Sequence, residues 1–193
     1  MIKLHLPSEY DHRDNDGLLA LSALNEPYRL ERGADGALMV EEPTGGETSA
    51  RNASINERLH TWNRERGLGR VFDSNGGFLL PNGAVFAPDA SWIPREKWDS
   101  LTQAERRGFL PLCPDFVVEL MSPSDRLSSL QAKMDLYQEQ GCRLGWLIDA
   151  DKREVYIYRQ GKPVERIHDF SISLDGESVL PGFELPLSDL ILE

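Results

Sequence analysis

Glu119 stands inside Asp115-Phe-Val-Val-Glu-Leu-Met121, a run that is otherwise apolar between its ends. Two valines and a phenylalanine mark a strand, and apolar residues at both parities predict a central strand covered on both faces. A carboxylate there carries a large desolvation cost unless a metal, a cation or a proton offsets it. Upstream, Pro88-Asp89 closes another apolar stretch. Two acids brought to one point by neighbouring strands are what a divalent-metal site requires. For Glu119 the alternative is a buried salt bridge or a strand-end acid, and for Asp89 an ordinary turn acid.

The elements that must position these acids follow from the pattern around them. Side chains alternate along a strand, so Asp115, Val117, Glu119 and Met121 share one face. Ser122-Pro-Ser-Asp125 ends that strand, and Ser124 or Asp125 is placed to cap the helix that follows. The spacing of Leu127, Leu130, Met134 and Tyr137 predicts a helix over residues 127–140, stopped at Gly141. Lys133 lies roughly 80° from the centre of that apolar face, where its stem can lie along the sheet and its ammonium can reach a strand edge. The competing account is a surface lysine. A largely apolar strand over 143–149 comes next, ending in Asp149, which reads as a turn acid. Strand, helix, strand is a crossover unit, so a parallel pair is expected at the sheet centre.

Upstream, a helix is expected from Glu47 to about Arg66, with Ile55, Leu59 and Trp62 on one face and Gly67 at its end. Glu47 falls in its first turn, where it can favour the helix dipole and pair with Arg51 at i,i+4. Segments 28–31 and 37–41 flank Gly33-Ala-Asp-Gly36 as a hairpin. Short strands are expected at 71–73, 78–81 and 84–93, with Asn82-Gly83 turning between the last two. Residues 94–113 form an excursion with helical turns near 97–101 and 103–107. Segments 154–159 and 164–170 read as outer strands, and the tail from Leu180 as short pieces. Residues 1–27 read as an N-terminal extension with a weak helical candidate at 16–24, and 28–193 as one domain. The fold class is α/β, a mixed β-sheet flanked by helices.

Composition narrows the class. With 193 residues, 40% hydrophobic and 27% charged, the chain suits one globular domain with a substantial core. No apolar stretch approaches the roughly 18 residues of a membrane span, and Met1-Ile-Lys-Leu-His is not a signal peptide, so a cytoplasmic location is expected. Cys113 and Cys142 form no CxxC pair and read as reduced thiols. The four histidines are scattered, which leaves no His-based metal site or triad. A net charge of −11 opposes polyanion binding, unless basic residues line one cleft and a metal offsets the acids.

Phe78-Leu-Leu-Pro-Asn-Gly with Ala87-Pro-Asp-Ala-Ser-Trp, then Cys113-Pro-Asp-Phe-Val-Val-Glu-Leu-Met-Ser-Pro-Ser-Asp125, then Lys133 with Tyr137 and Gly141, then Trp146-Leu-Ile-Asp149, occur in this order. Together they resemble the Uma-two family of restriction-endonuclease-like proteins, within the PD-(D/E)xK nuclease superfamily. Pro43-Thr-Gly-Gly-Glu47 is similar to the segment that opens the family's first helix, and the likeness runs from about Tyr28 to Arg159. The resemblance implies a restriction-endonuclease-like fold, Asp89 and Glu119 as metal ligands, and Glu47 as an accessory acid. One position departs: the superfamily pattern has lysine two residues after the acid, where this chain has Met121. The resemblance assigns the lysine function to Lys133.

These residue types suit phosphodiester hydrolysis. Mg²⁺, or Mn²⁺ in its place, takes hard oxygen ligands, and Asp89, Glu119 and the Leu120 carbonyl would supply them. Lys133 would orient the attacking water or offset charge growing on the phosphate. Arg126, Arg95 and Lys97 are candidates for backbone-phosphate contact. The expected function is a Mg²⁺-dependent endonuclease acting on DNA as a homodimer. The alternatives are an inactive relative serving dimerisation or protein binding, and a hydrolase of other phosphate esters.

Overall fold

The computed structural model describes residues 2–192. In chain order its first elements are α1 (Asn15–Leu24), β1 (Arg29–Arg32), β2 (Leu38–Glu41), α2 (Gly46–Arg66), β3 (Gly69–Asp73), β4 (Phe78–Leu79) and β5 (Val85–Phe86). Then come β6 (Ala90–Pro94), α3 (Arg95–Ser100), β7 (Phe116–Leu120), α4 (Leu127–Glu139), β8 (Leu144–Asp149) and β9 (Glu154–Arg159). The chain ends with β10 (Glu165–Ile167), β11 (Ser173–Asp175), β12 (Glu184–Pro186) and a 3-10 turn at Leu187–Leu190. The chain divides into two compact units, one made of the chain up to Pro43 with Asn75–Ala87 and Leu101–Cys113, the other of Thr44–Ser74, Pro88–Ser100 and the chain from Pro114.

In the first unit, Asp14 accepts a hydrogen bond from the Gly17 amide and so caps α1. Leu18 and Leu21 of this helix form a small core with Leu30 and Val85. The sheet runs β2-β1-β5-β4, all antiparallel, and contains both hairpins expected at Gly33–Gly36 and Asn82-Gly83. Two charged side chains are buried here because the backbone satisfies them. The Arg32 guanidinium donates to the carbonyls of Gly83, His12 and Arg13, and Glu31 accepts from the Ala87 amide at 2.7 Å.

The second unit holds a six-stranded sheet in the order β10-β9-β8-β7-β6-β3. Only β7 and β8 run parallel, joined by α4 as the crossover; the other neighbours are antiparallel. The expected central strand is therefore observed, and its two parities divide between two helices. Phe116, Val118 and Leu120 join Ile55, Leu59 and Trp62 of α2 in the larger core, with Trp92, Trp146 and Ile148. Val117 turns to the α4 side, where Met134 packs over Gly145. A Cβ at Gly145 would lie 2.5 Å from Met134 Cε and 3.2 Å from Val117 Cγ2. The helix α2 stops at Gly67, whose φ of 65° is left-handed, and its amide donates to the Asn63 carbonyl.

The continuous strand expected over 84–93 is in fact two, β5 in one sheet and β6 in the other. Pro88 has no N–H to give a ladder, and the Asp89 side chain takes the place of a backbone partner for β7. The helix cap expected at Ser124 or Asp125 is also different. Asp125 Oδ2 accepts from the Ser122 amide at 2.7 Å, closing the turn, and the N-cap residue of α4 is Arg126. The tail from Leu180 consists of short pieces, as expected, and these pieces carry core side chains. Leu174, Leu180, Phe183, Leu185, Leu187 and Leu190 all enter the larger core, and Phe183 stacks on Trp146 at 5.9 Å.

Candidate active site

Glu119 is 4% exposed and leaves β7 on the side that faces α4. Two residues one turn apart on α4 converge on the same carboxylate oxygen. Lys133 Nζ lies 3.1 Å from Glu119 Oε1, and Tyr137 Oη donates to Oε1 at 3.1 Å. Tyr137 is fully buried and the Lys133 side chain is 12% exposed, so the charge pair sits where solvent screens it little. The ammonium reaches the β7 carboxylate from the helix border where Lys133 was expected.

Asp89 reaches the same strand by a different route. It precedes Ala90, whose pairing with Val118 is the last rung between β6 and β7. Its Oδ2 accepts the Leu120 amide at 2.9 Å, and Oδ1 accepts Asn52 Nδ2 at 3.1 Å. Asn56, one turn further along α2, donates to the Asp89 backbone carbonyl at 3.0 Å. A strand residue points its N–H and C=O to the same edge, so the Leu120 carbonyl lies on the Asp89 side of β7. Helix α2 thus holds one acid and helix α4 the other, with the end of β7 between them.

Glu47 lies in the first turn of α2. Its side chain is 75% exposed and lies 3.9 Å from Arg51, the i,i+4 pairing that helix geometry offers. Arg51 itself is buried, donating to the Leu190 carbonyl and ion-pairing with Asp151 at 2.8 Å. Among the described residues, no group of three or more His, Cys, Asp or Glu is gathered closely enough to hold a metal ion. Of the phosphate-contact candidates, Lys97 is paired with Asp115 at 2.7 Å and Arg95 donates to the Gly67 carbonyl at 2.6 Å. Arg126 is exposed at the start of α4. Asp149 is the expected turn acid, binding the Lys152 amide and ammonium. Asn52, Asn56 and Tyr137 are the site residues that pattern alone missed.

The donor chemistry fits a hard divalent cation. Two carboxylates sit at one strand end, and Mg²⁺ is commonly held by one or two carboxylates while keeping several waters. Two more oxygens, Asn52 Oδ1 and Asn56 Oδ1, are buried without a hydrogen-bond donor, on the side chains that hold Asp89.

A mixed sheet with a parallel central pair, helices on both faces and acids at the strand ends is the restriction-endonuclease-like α/β fold. The chain belongs to the Uma2 family, whose sequence profile, described as "Putative restriction endonuclease", matches residues 16–188. The fold is also that of a crystal structure from Anabaena variabilis, described as a "putative nuclease belonging to DUF820". The two share 19% identity with a TM-score of 0.73, over 84% of this chain and 89% of that one. A comparison with curated proteins found no match. No helix among the described residues is long and apolar enough to cross a membrane.

Proposed function

We propose that this protein is a Mg²⁺-dependent endonuclease that hydrolyses DNA phosphodiester bonds, with Asp89, Glu119 and the Leu120 carbonyl as the cation's ligands. The observation that carries this reading is the buried cluster at the end of β7. There Lys133 and Tyr137 hold Glu119, while Asp89 is bound to the peptide one residue further on. A carboxylate and an ammonium buried together cost desolvation that an apolar pair would avoid, so a structural role alone is a poor reason to keep them. Family membership supports nuclease chemistry with DNA as the substrate.

A cation held by these ligands would neutralise charge at the scissile phosphate and lower the pKa of a water, so that its hydroxide form is available as the nucleophile. Asp89 keeps its orientation through the Leu120 amide and Asn52, and Glu119 keeps its own through Tyr137. Lys133 orients the nucleophile or offsets negative charge on the phosphorane-like transition state, a role that needs a positioned amine in a poorly solvated place. Met121, two residues past the acid, has no such group, and α4 supplies it instead. Glu47 serves as the accessory acid, and its exposure leaves it open to substrate. Cutting both strands of a duplex calls for two such sites, hence a homodimer, acting in the cytoplasm.

The test is cleavage of plasmid DNA with Mg²⁺, with Mn²⁺ and with a chelator. Metal-dependent nicking or linearisation is expected, and Asp89→Ala, Glu119→Ala and Lys133→Ala should each abolish it while keeping a folded circular-dichroism spectrum. Undiminished cleavage by Glu119→Ala would remove this cluster from the chemistry. A second reading, an inactive relative that keeps the fold for dimerisation or protein binding, draws on Met121 and on the net charge of −11. Titration calorimetry separates the two: no heat with millimolar Mg²⁺ or Mn²⁺ favours the inactive relative.

A further inference from the structure

Asn52 and Asn56 lie one turn apart on α2, and both turn their amide nitrogen toward Asp89. Asn56 Nδ2 also donates to the Asn52 carbonyl at 3.0 Å. Every one of those acceptors is a carboxylate or carbonyl oxygen, which can only accept, so the orientation of both amides is decided by their partners. The two amide oxygens must then point elsewhere. Both are buried, and neither receives a hydrogen bond. One orphaned acceptor could be an ordinary packing defect. Two on a single helix face, on the two side chains that grip one candidate ligand, call for donors that arrive from outside the protein.

We propose that Asn52 and Asn56 form the outer shell of the cation site. Their nitrogens hold Asp89, and their oxygens accept hydrogen bonds from the waters that a divalent cation keeps when it binds there. This rests on Asp89 being a cation ligand. Mg²⁺ gives up its hydration reluctantly, so a site with two carboxylates must accommodate several of its waters, and those waters are donors only. Neutral amide oxygens accept from them without adding repulsion between acids. Such outer partners fix the ligand and tune affinity, and their loss typically costs about 10–100-fold in metal binding. These are positioning residues: they act through Asp89 and through water, not on the phosphate.

Titration calorimetry with Mg²⁺ alone, in the absence of DNA, tests this on the full chain. Asn52→Leu, nearly isosteric and without polar atoms, is expected to weaken Mg²⁺ binding by about 10–100-fold. Asn52→Ser, whose hydroxyl can both donate and accept, should recover part of the loss, and Asn56→Ser should show a smaller loss than Asn52→Leu. Melting temperature in chelator reports whether each variant folds, and the serine variants carry the test if the leucine one does not. Wild-type affinity in folded Asn52→Leu or in both serine variants would overturn the proposal, and ordinary buried water would then serve those oxygens. If the wild type binds no Mg²⁺ but the fold is intact, the cation reading itself fails and takes this inference with it. Loss of binding in Asp89→Ala together with full binding in the asparagine variants would instead leave the cation reading standing alone.

Discussion

Lys133 and Tyr137 put two donors on one oxygen of Glu119, and removing each should have a different consequence. Lys133→Met keeps the apolar stem and deletes the ammonium. If the amine stabilises transition-state charge, kcat for DNA cleavage should fall by about 10²–10³-fold, with little change in KM. Tyr137→Phe leaves the ammonium in place but removes a hydrogen bond to a buried carboxylate, so it should lower stability by about 1–3 kcal/mol in urea denaturation. Glu119 could be picked out by eye because a charge in an apolar strand is conspicuous. Lys133 stood out because it borders an apolar stripe. Tyr137 gave no such signal: a tyrosine on the buried face of a helix looks like packing, and where its hydroxyl points depends on the strand that the helix covers. Asn52 and Asn56 were hidden for a similar reason, since asparagines on a polar helix face normally meet water.

At the level of elements, alternation and turn chemistry were readable. Periodicity located α2 and α4 almost to the residue, and the Asn82-Gly83 hairpin followed from turn chemistry. The division of 84–93 into β5 and β6 was not legible, because apolar residues run through both pieces and Pro88 suits an edge or bulge as well as a break. Gly145 was silent too, since what a glycine excludes depends on its neighbours. Its lack of a side chain lets α4 lie close over the parallel pair. Gly145→Val should therefore cost about 1–3 kcal/mol through overpacking against Met134, measurable as a drop in denaturation midpoint at unchanged slope. On β9, burial pushes the Tyr158 phenol up to about 12, with further contributions from Asp135 and Tyr156. A folded-state value above the unfolded one means that stability is intact at neutral pH. It is then lost as pH rises from about 10, the ordinary tyrosine value, towards 12. Tyr158→Phe should flatten that alkaline decline in a pH series of thermal melts.

For the molecule as a whole, the larger core closes only when the tail arrives. Phe183 fills the space among Trp62, Phe116 and Trp146, and Leu180, Leu185 and Leu190 complete the same layer. Phe183→Ala should destabilise by about 3–5 kcal/mol, enough to be seen directly as a lowered melting temperature. The tail was opaque in sequence because its apolar residues are spaced by turns, with neither a helical nor a strand period. Charge belongs to this scale as well. A net charge of −11 opposes DNA binding, so affinity would rest on basic residues gathered at the site and would fall with added salt.

The register of β7 has one more consequence. Its odd positions serve α4 and its even positions serve α2. Sliding the strand by a single step would bury Glu119 among tryptophans and turn Phe116 and Leu120 towards the lysine. A mispaired copy would thus lack both a core and a functional centre, and would be unfolded instead of subtly miswired. Folding errors at this strand should leave the cell with fewer molecules, not with wayward ones.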